Sequence, residues 1–187
     1  MNKHCERHSK STKKVFWYLK GTLNFGIMYT NEFDVDLATY PNSYSAINPD
    51  DKKSTIRYVF NIGSWAISWI NNKEPNVSLS STEAEYKSLT NGTWKTIWLR
   101  RILGDVEETQ QEPTLIRCGN KSTIKLENNP IYHARANHIA TQQHFVREKE
   151  KSKEIYLSFC NTNENVASIF TKPLGKIKFE IFISCVL

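Results

Sequence analysis

The stretch Ser80-Ser81-Thr82-Glu83-Ala84-Glu85-Tyr86 decides how this chain is read. Three consecutive hydroxyl residues offer side-chain oxygens to the free N–H groups of a helix start. Ser80 with Glu83, and Thr82 with Glu85, both have capping-box spacing. Apolar residues follow at Leu89, Ile97, Trp98, Leu99, Ile102 and Leu103, which predicts a helix over 81–103. Residues 75–79 read as extended chain, so Glu83 and Glu85 stand at a strand-to-helix junction. Residues two apart lie on different helix faces, so one of the two carboxylates is expected to face inward. Acidic first turns also suit the helix dipole, so capping and chemistry both account for the pair.

Working outward, three β-rich runs precede the helix. Residues 35–40 read as a strand, and 55–62 and 65–70 flank Gly63-Ser64, a hairpin signal. Residues 41–51 read as a loop, on Pro41, Asn42, Asn48, Pro49 and Asp50, and 71–75 as a turn. After the helix come a strand at 113–118, a short helix at 121–127, a helix at 138–149 and a strand at 155–159. A further helix at 163–170 is stopped before Pro173. At the chain start, 10–20 predict an amphipathic helix ended by Gly21. Residues 25–30 predict a short strand, and 179–186 an apolar tail. An antiparallel meander followed by alternating helices and strands predicts an α/β fold with a five-stranded mixed sheet and flanking helices. That order matches the ribonuclease H fold, which by itself assigns no function.

The 187 residues suffice for one domain with a core, and 39% hydrophobic content marks a globular chain. The net charge of +6 permits a polyanionic partner without demanding one. Cys5, Cys118, Cys160 and Cys185 form no C-x-x-C pair, which fits reduced thiols inside the cell, in cytoplasm or nucleus. His4, Cys5 and His8 lack a second ligand pair at zinc-site spacing. His138 and His144 are six apart and share no helical face, so with His133 they read as scaffold. No apolar run approaches the roughly 20 residues of a membrane span, so no membrane partner is expected.

A series of words in one order carries a resemblance across nearly the whole chain. They include Tyr18-Leu19-Lys20-Gly21-Thr22-Leu23, Asp50-Asp51-Lys52-Lys53-Ser54-Thr55 with Tyr58-Val59-Phe60, and Ala66-Ile67-Ser68-Trp69. Leu79 to Tyr86, Ile97-Trp98-Leu99-Arg100-Arg101, His144-Phe145-Val146-Arg147-Glu148 and Phe170-Thr171-Lys172-Pro173-Leu174 follow. The chain resembles the C-terminal end of a copia-type retrotransposon Pol polyprotein. The resemblance implies a reverse-transcriptase tail at 1–32, a ribonuclease H domain at 33–175 and a C-terminal tail at 176–187. The implied ancestral activity is Mg²⁺-dependent cleavage of RNA in RNA–DNA hybrids, in which two ions activate water and stabilise the leaving oxygen.

Such chemistry needs several anionic oxygens, because Mg²⁺ takes hard oxygen ligands. The family supplies four carboxylates, and the flanking words place each position here. The second survives as Glu85, the one implied metal ligand. The first is Asn42 in Tyr40-Pro41-Asn42-Ser43-Tyr44, the third is Gly119 in Cys118-Gly119-Asn120, and the fourth is Ser168 in Ala167-Ser168-Ile169. The resemblance therefore implies a degenerate, catalytically inactive domain with no cofactor. Asp34, Asp36, Asp50, Asp51 and Glu164 are the acids near enough in sequence to be weighed as substitutes. Lys52, Lys53, Arg57, Arg100, Arg101 and Arg147 are the candidate contacts to an RNA–DNA hybrid or other nucleic acid, with weak affinity expected. A recruited, non-catalytic nucleic-acid-binding or protein-interaction module and a divergent active nuclease are the alternatives.

Overall fold

The first strand alternates between buried and half-buried residues while the second is buried along both faces, so one sheet carries a core on each side. The computed structural model describes residues 5–27, 29, 36–44, 53–78, 80–128, 140–161, 163–170 and 174–184. Strands β1 (Leu37–Tyr44), β2 (Thr55–Ile62) and β3 (Trp65–Lys73) form the antiparallel meander. Gly63, at φ 54°, makes the tight turn between β2 and β3, a conformation that suits glycine. β4 (Thr114–Cys118) pairs with β1 in parallel, and β5 (Ile155–Phe159) pairs with β4 in parallel. The strand order is β3-β2-β1-β4-β5, the mixed five-stranded sheet that the sequence predicts.

β1 is longer than expected, because it continues through Pro41 to Tyr44 where a loop was anticipated. Its parallel ladder with β4 spans Ala38 and Thr39. Beyond Thr39 the β4 side of β1 is an edge, where a proline's missing donor is tolerated. β3 likewise runs on to Lys73, through most of the expected turn.

Helix α2 (Ser81–Asp105) lies across one face of this sheet. Ser80 is its N-cap, and its Oγ accepts the Glu83 N–H at 3.1 Å. Leu37, Ile56, Tyr58, Phe60 and Leu99 pack together beneath it. A second cluster joins Tyr86, Leu89 and Ile97 to Ile116, Ile155 and Leu157 of the parallel strands and to Val146 of α4 (Ala140–Lys151). On the opposite face, Val59 and Ala66 pack on Val166 and Ala167 of a 3-10 turn, Val166–Phe170. A full helix was expected there.

The buried face of α2 is unusually rich in hydroxyls, and each has a partner. Thr90, Thr93 and Thr96 donate to the carbonyls four residues back at 3.0, 2.9 and 2.8 Å. The Thr96 and Thr39 hydroxyls lie 2.8 Å apart, tying helix to strand. Such back-bonding lets small polar side chains line a close helix–sheet contact without an unsatisfied group.

α3 (Lys121–Asn128) follows β4. α1 (Glu6–Gly21) buries no residue. It meets α5 (Lys176–Ser184) through Tyr18 and Phe179, whose ring centroids are 6.2 Å apart. The expected apolar tail is thus a helix, with Phe182 and Ile183 buried. The strand expected at 25–30 is not formed at residues 25–27 and 29. Among the described residues no helix is long and apolar enough to cross a membrane.

Gly92 tests the helix–strand contact. A Cβ there would stand 3.7 Å from Pro41 Cβ and 3.8 Å from Thr39 Cγ2, ordinary van der Waals distances. Since glycine costs about 1 kcal/mol against alanine inside a helix, Gly92→Ala is expected to raise stability by ~0.5–1 kcal/mol in urea unfolding. A loss of stability would show that α2 and β1 lie closer than this.

Candidate active site

The first turn of α2 sends its two carboxylates to different neighbours. Glu83 is 5% exposed and pairs with Lys87 Nζ at 2.9 Å. Lys87 also donates to Ser78 Oγ at 3.3 Å, so Glu83 belongs to a local ion pair at the helix start. Glu85 is half-buried, and its Oε1 accepts the Ser43 N–H at 3.3 Å. Both carboxylates are therefore withdrawn from solvent, where one was expected to be. Glu85 is the one at the end of β1. Burial pushes the Glu85 carboxyl above its ordinary range, while hydrogen bonds from Ser43 oppose the shift.

The end of β1 meets the 3-10 turn on the other face of the sheet. Asn42 Nδ2 donates to Ser168 Oγ at 3.3 Å. The Asn42 carbonyl accepts from Ser88 Oγ at 3.0 Å, which ties the strand back to α2. Asn165 is 1% exposed; its Nδ2 donates to the Pro41 carbonyl at 3.0 Å and its Oδ1 accepts the Ala167 N–H at 3.1 Å. Just past β4, a Cβ on Gly119 would lie 3.6 Å from Asn165 Nδ2. Burial pushes the neighbouring Cys118 thiol up to about 12, and the nearby Glu85 charge adds to the shift. Asn42, Glu85, Gly119 and Ser168 thus form one chain of contacts at the C-terminal ends of two adjacent parallel strands.

Sequence reading missed three members of this chain of contacts: Ser43, Ser88 and Asn165. Ser88 lies one turn beyond Glu85 on the same helix face, which was a usable signal. Asn165 and Ser43 act through backbone groups, and no spacing rule pointed to them.

The donor set does not fit a pair of Mg²⁺ ions. Asn42 and Ser168 satisfy each other, Gly119 has no side chain, and Glu85 is a carboxylate whose charged form burial disfavours. Among the described residues no group of three or more His, Cys, Asp or Glu is placed to hold a metal ion. Asp36 precedes β1 at its far end and is exposed, as is Glu164. Asp34, Asp50, Asp51, His133 and His138 lie outside the described residues. His144 is exposed on α4, and Cys5 Sγ touches His8 Nδ1 at 3.5 Å beside α1. Cys5, Cys118 and Cys160 are free thiols.

Two of the candidate nucleic-acid contacts have structural roles instead. Arg57 is 8% exposed, with Nε donating to Asn71 Oδ1 at 3.0 Å across the β2–β3 pair. Its position inside the sheet withdraws the side chain from any outer surface. Arg100 donates to the Glu112 carbonyl at 2.8 Å, Thr114 Oγ1 at 2.7 Å and the Gln110 carbonyl at 2.8 Å. It clamps the connection from α2 to β4, whose carbonyls need donors. Arg101 is exposed, Lys53 and Arg147 are half-buried, and Lys52 lies outside the described residues.

The topology and the cluster at the strand ends define the class. The LC11 ribonuclease H1, solved in complex with an RNA/DNA hybrid, matches with a TM-score of 0.51 over 70% of this chain and 88% of that chain, at 9% identity. The chain folds as a ribonuclease H-like domain. No family model matches. The Pol polyprotein from transposon RE1 of Arabidopsis thaliana is 33% identical over 184 residues, 98% of this chain. That from transposon TNT 1-94 of Nicotiana tabacum is 34% identical over 176 residues, 94% of this chain. Over nearly its whole length the chain is homologous to copia-type Pol polyproteins, and it spans about 13% of the length of these two relatives.

The raised Glu85 carboxyl sets a pH dependence. A carboxyl whose folded pKa lies above its ordinary value of 4.5 binds protons more readily in the folded state. Its contribution to stability is then lost as pH rises from about that value through the folded pKa. Glu85→Gln is expected to be more stable than the parent at neutral pH, with the gap closing below pH 4.5. Urea unfolding of both proteins across pH 4–8 checks this, and a gap that ignores pH would contradict it.

Proposed function

We propose that this domain is a catalytically inactive ribonuclease H-like remnant of a copia-type element. The Asn42–Ser168 hydrogen bond carries the reading. At two of the four positions where the family places carboxylates, neutral side chains satisfy one another. A third position, Gly119, offers no ligand. Even changes that only support metal ligands cost roughly 10–100-fold, so three lost ligands leave on the order of 10³-fold less activity or worse. No cofactor is expected.

Residual nucleic-acid binding rests on charge alone. Arg101 is exposed and Lys53 and Arg147 are half-buried, and each phosphate contact made by such cations weakens as salt rises. One observation favours the second reading, a recruited binding module. The substitutions at the cleft sit on a complete scaffold: the sheet has all five strands, and Gly92 fits its contact with β1. Decay spread evenly over the chain would reach the core as well.

The purified domain is expected to leave a labelled RNA–DNA hybrid uncut with Mg²⁺ or Mn²⁺. Asn42→Asp, Gly119→Asp and Ser168→Asp together are expected to restore cleavage, while each alone does almost nothing, since ligands of one metal pair act as a unit. A Cβ on Gly119 would stand at an ordinary 3.6 Å from Asn165 Nδ2, and the Gly119 φ lies outside the left-handed region. Cleavage by the parent that disappears in Glu85→Gln would overturn the proposal. Hybrid binding, where measurable, is expected to fall steeply between low and moderate salt.

A further inference from the structure

The outward side of α2 carries an aromatic pair that the cleft does not use. Trp94 and Trp98 are one turn apart and 59% and 48% exposed. Trp94 lies flat on Phe145 of α4, with ring centroids 4.1 Å apart and planes at 8°. The Lys95 ammonium sits 3.4 Å from the centroid of the Trp98 ring. Exposed Arg101 follows one turn beyond Trp98 on the same side. From Asn91 to Gly104 the helix has no acidic residue. Ser88, Gly92 and Thr96 face the sheet from the same helix, so this surface is separate from the strand-end cleft.

One face of each ring is taken, by Phe145 on Trp94 and by the Lys95 ammonium on Trp98, and exposed aromatic rings held in this way with cations at hand suit one ligand chemistry above others. Bases stack on the rings with little regard to sequence, and ammonium and guanidinium groups take the phosphates. Two rings four residues apart stand about 6 Å apart along the helix axis, so both can be used by one strand. A paired duplex keeps its bases stacked inside and has no free faces to offer. An apolar protein surface would have to bury the Lys95 charge at the centre of the contact, which is costly without a partner. We propose that the Trp94–Trp98 face of α2 is a stacking platform for single-stranded nucleic acid, distinct from the strand-end cleft.

The test is fluorescence anisotropy of the whole chain with labelled 15-nucleotide oligo-dT and oligo-U, and with the RNA–DNA hybrid in parallel. Trp94→Ala with Trp98→Ala is expected to weaken single-strand binding by roughly tenfold or more, leaving the salt dependence and any hybrid binding unchanged. Lys95→Gln is expected to reduce the salt slope by about one. Trp94→Phe with Trp98→Phe keeps the rings and is expected to keep most of the affinity, which separates lost stacking from lost folding. Equal affinity in a double alanine variant of parental circular dichroism would overturn the proposal. So would a parent that binds neither oligonucleotide. Self-association of the parent in sedimentation, abolished by the same alanines without any effect on oligonucleotide binding, would assign the face to a second copy instead. The strand-end reading is judged separately by hybrid cleavage.

Discussion

The close crossing of α2 over β1 is the constraint on which the rest of the structure depends. Gly92 crosses over Thr39 and Pro41, and Thr96 and Ser88 pin the two elements by hydrogen bonds. A larger side chain at the crossing, beyond a methyl group, would lift the helix and break both pins. The crossing also determines where the first turn of the helix lands. Because Ser88 is held to the Asn42 carbonyl, Glu85 one turn earlier is carried to the end of the same strand. Core packing, which concerns burial, thereby settles the geometry of a cleft that concerns charge.

Neutral hydrogen bonds hold the strand-end cleft together. Carboxylates grouped closely repel each other and are held together by the cations they bind. Asn42, Ser168 and Asn165 instead form neutral hydrogen bonds among themselves and to backbone carbonyls, which need no ion. Glu85 is shielded, its charged form disfavoured and its oxygen engaged by Ser43. The strand ends are thus tied together by hydrogen bonds within the chain.

The cations show why composition overstates function. A net charge of +6 permits a polyanionic partner, yet Arg57 lies within the sheet and Arg100 clamps a connection. Arginine's several donors make it suitable for satisfying clustered carbonyls, and a linker beside a helix end presents such a cluster.

Much of the fold was legible because local rules and tertiary packing agree. The Ser80 cap, the Gly63 turn and the β-rich runs that flank it express backbone preferences that neighbours along the chain determine. Elements that tertiary contacts support were misjudged. β1 runs through Pro41 because the β4 ladder has already ended, a fact about a strand more than 70 residues away. The apolar tail is helical, with Phe182 and Ile183 buried. For the cleft, the sequence by itself determined the residue types present, one acid, two neutral polar residues and a glycine at Glu85, Asn42, Ser168 and Gly119. Only the tertiary structure decided that Asn42 bonds Ser168, that Glu85 rather than Glu83 reaches the strand end, and that Asn165 lies beneath Gly119. Those outcomes depend on how a helix, a strand end and a 3-10 turn far apart in the chain pack on one sheet, and hydrogen-bond direction across such distances leaves no periodic trace in sequence.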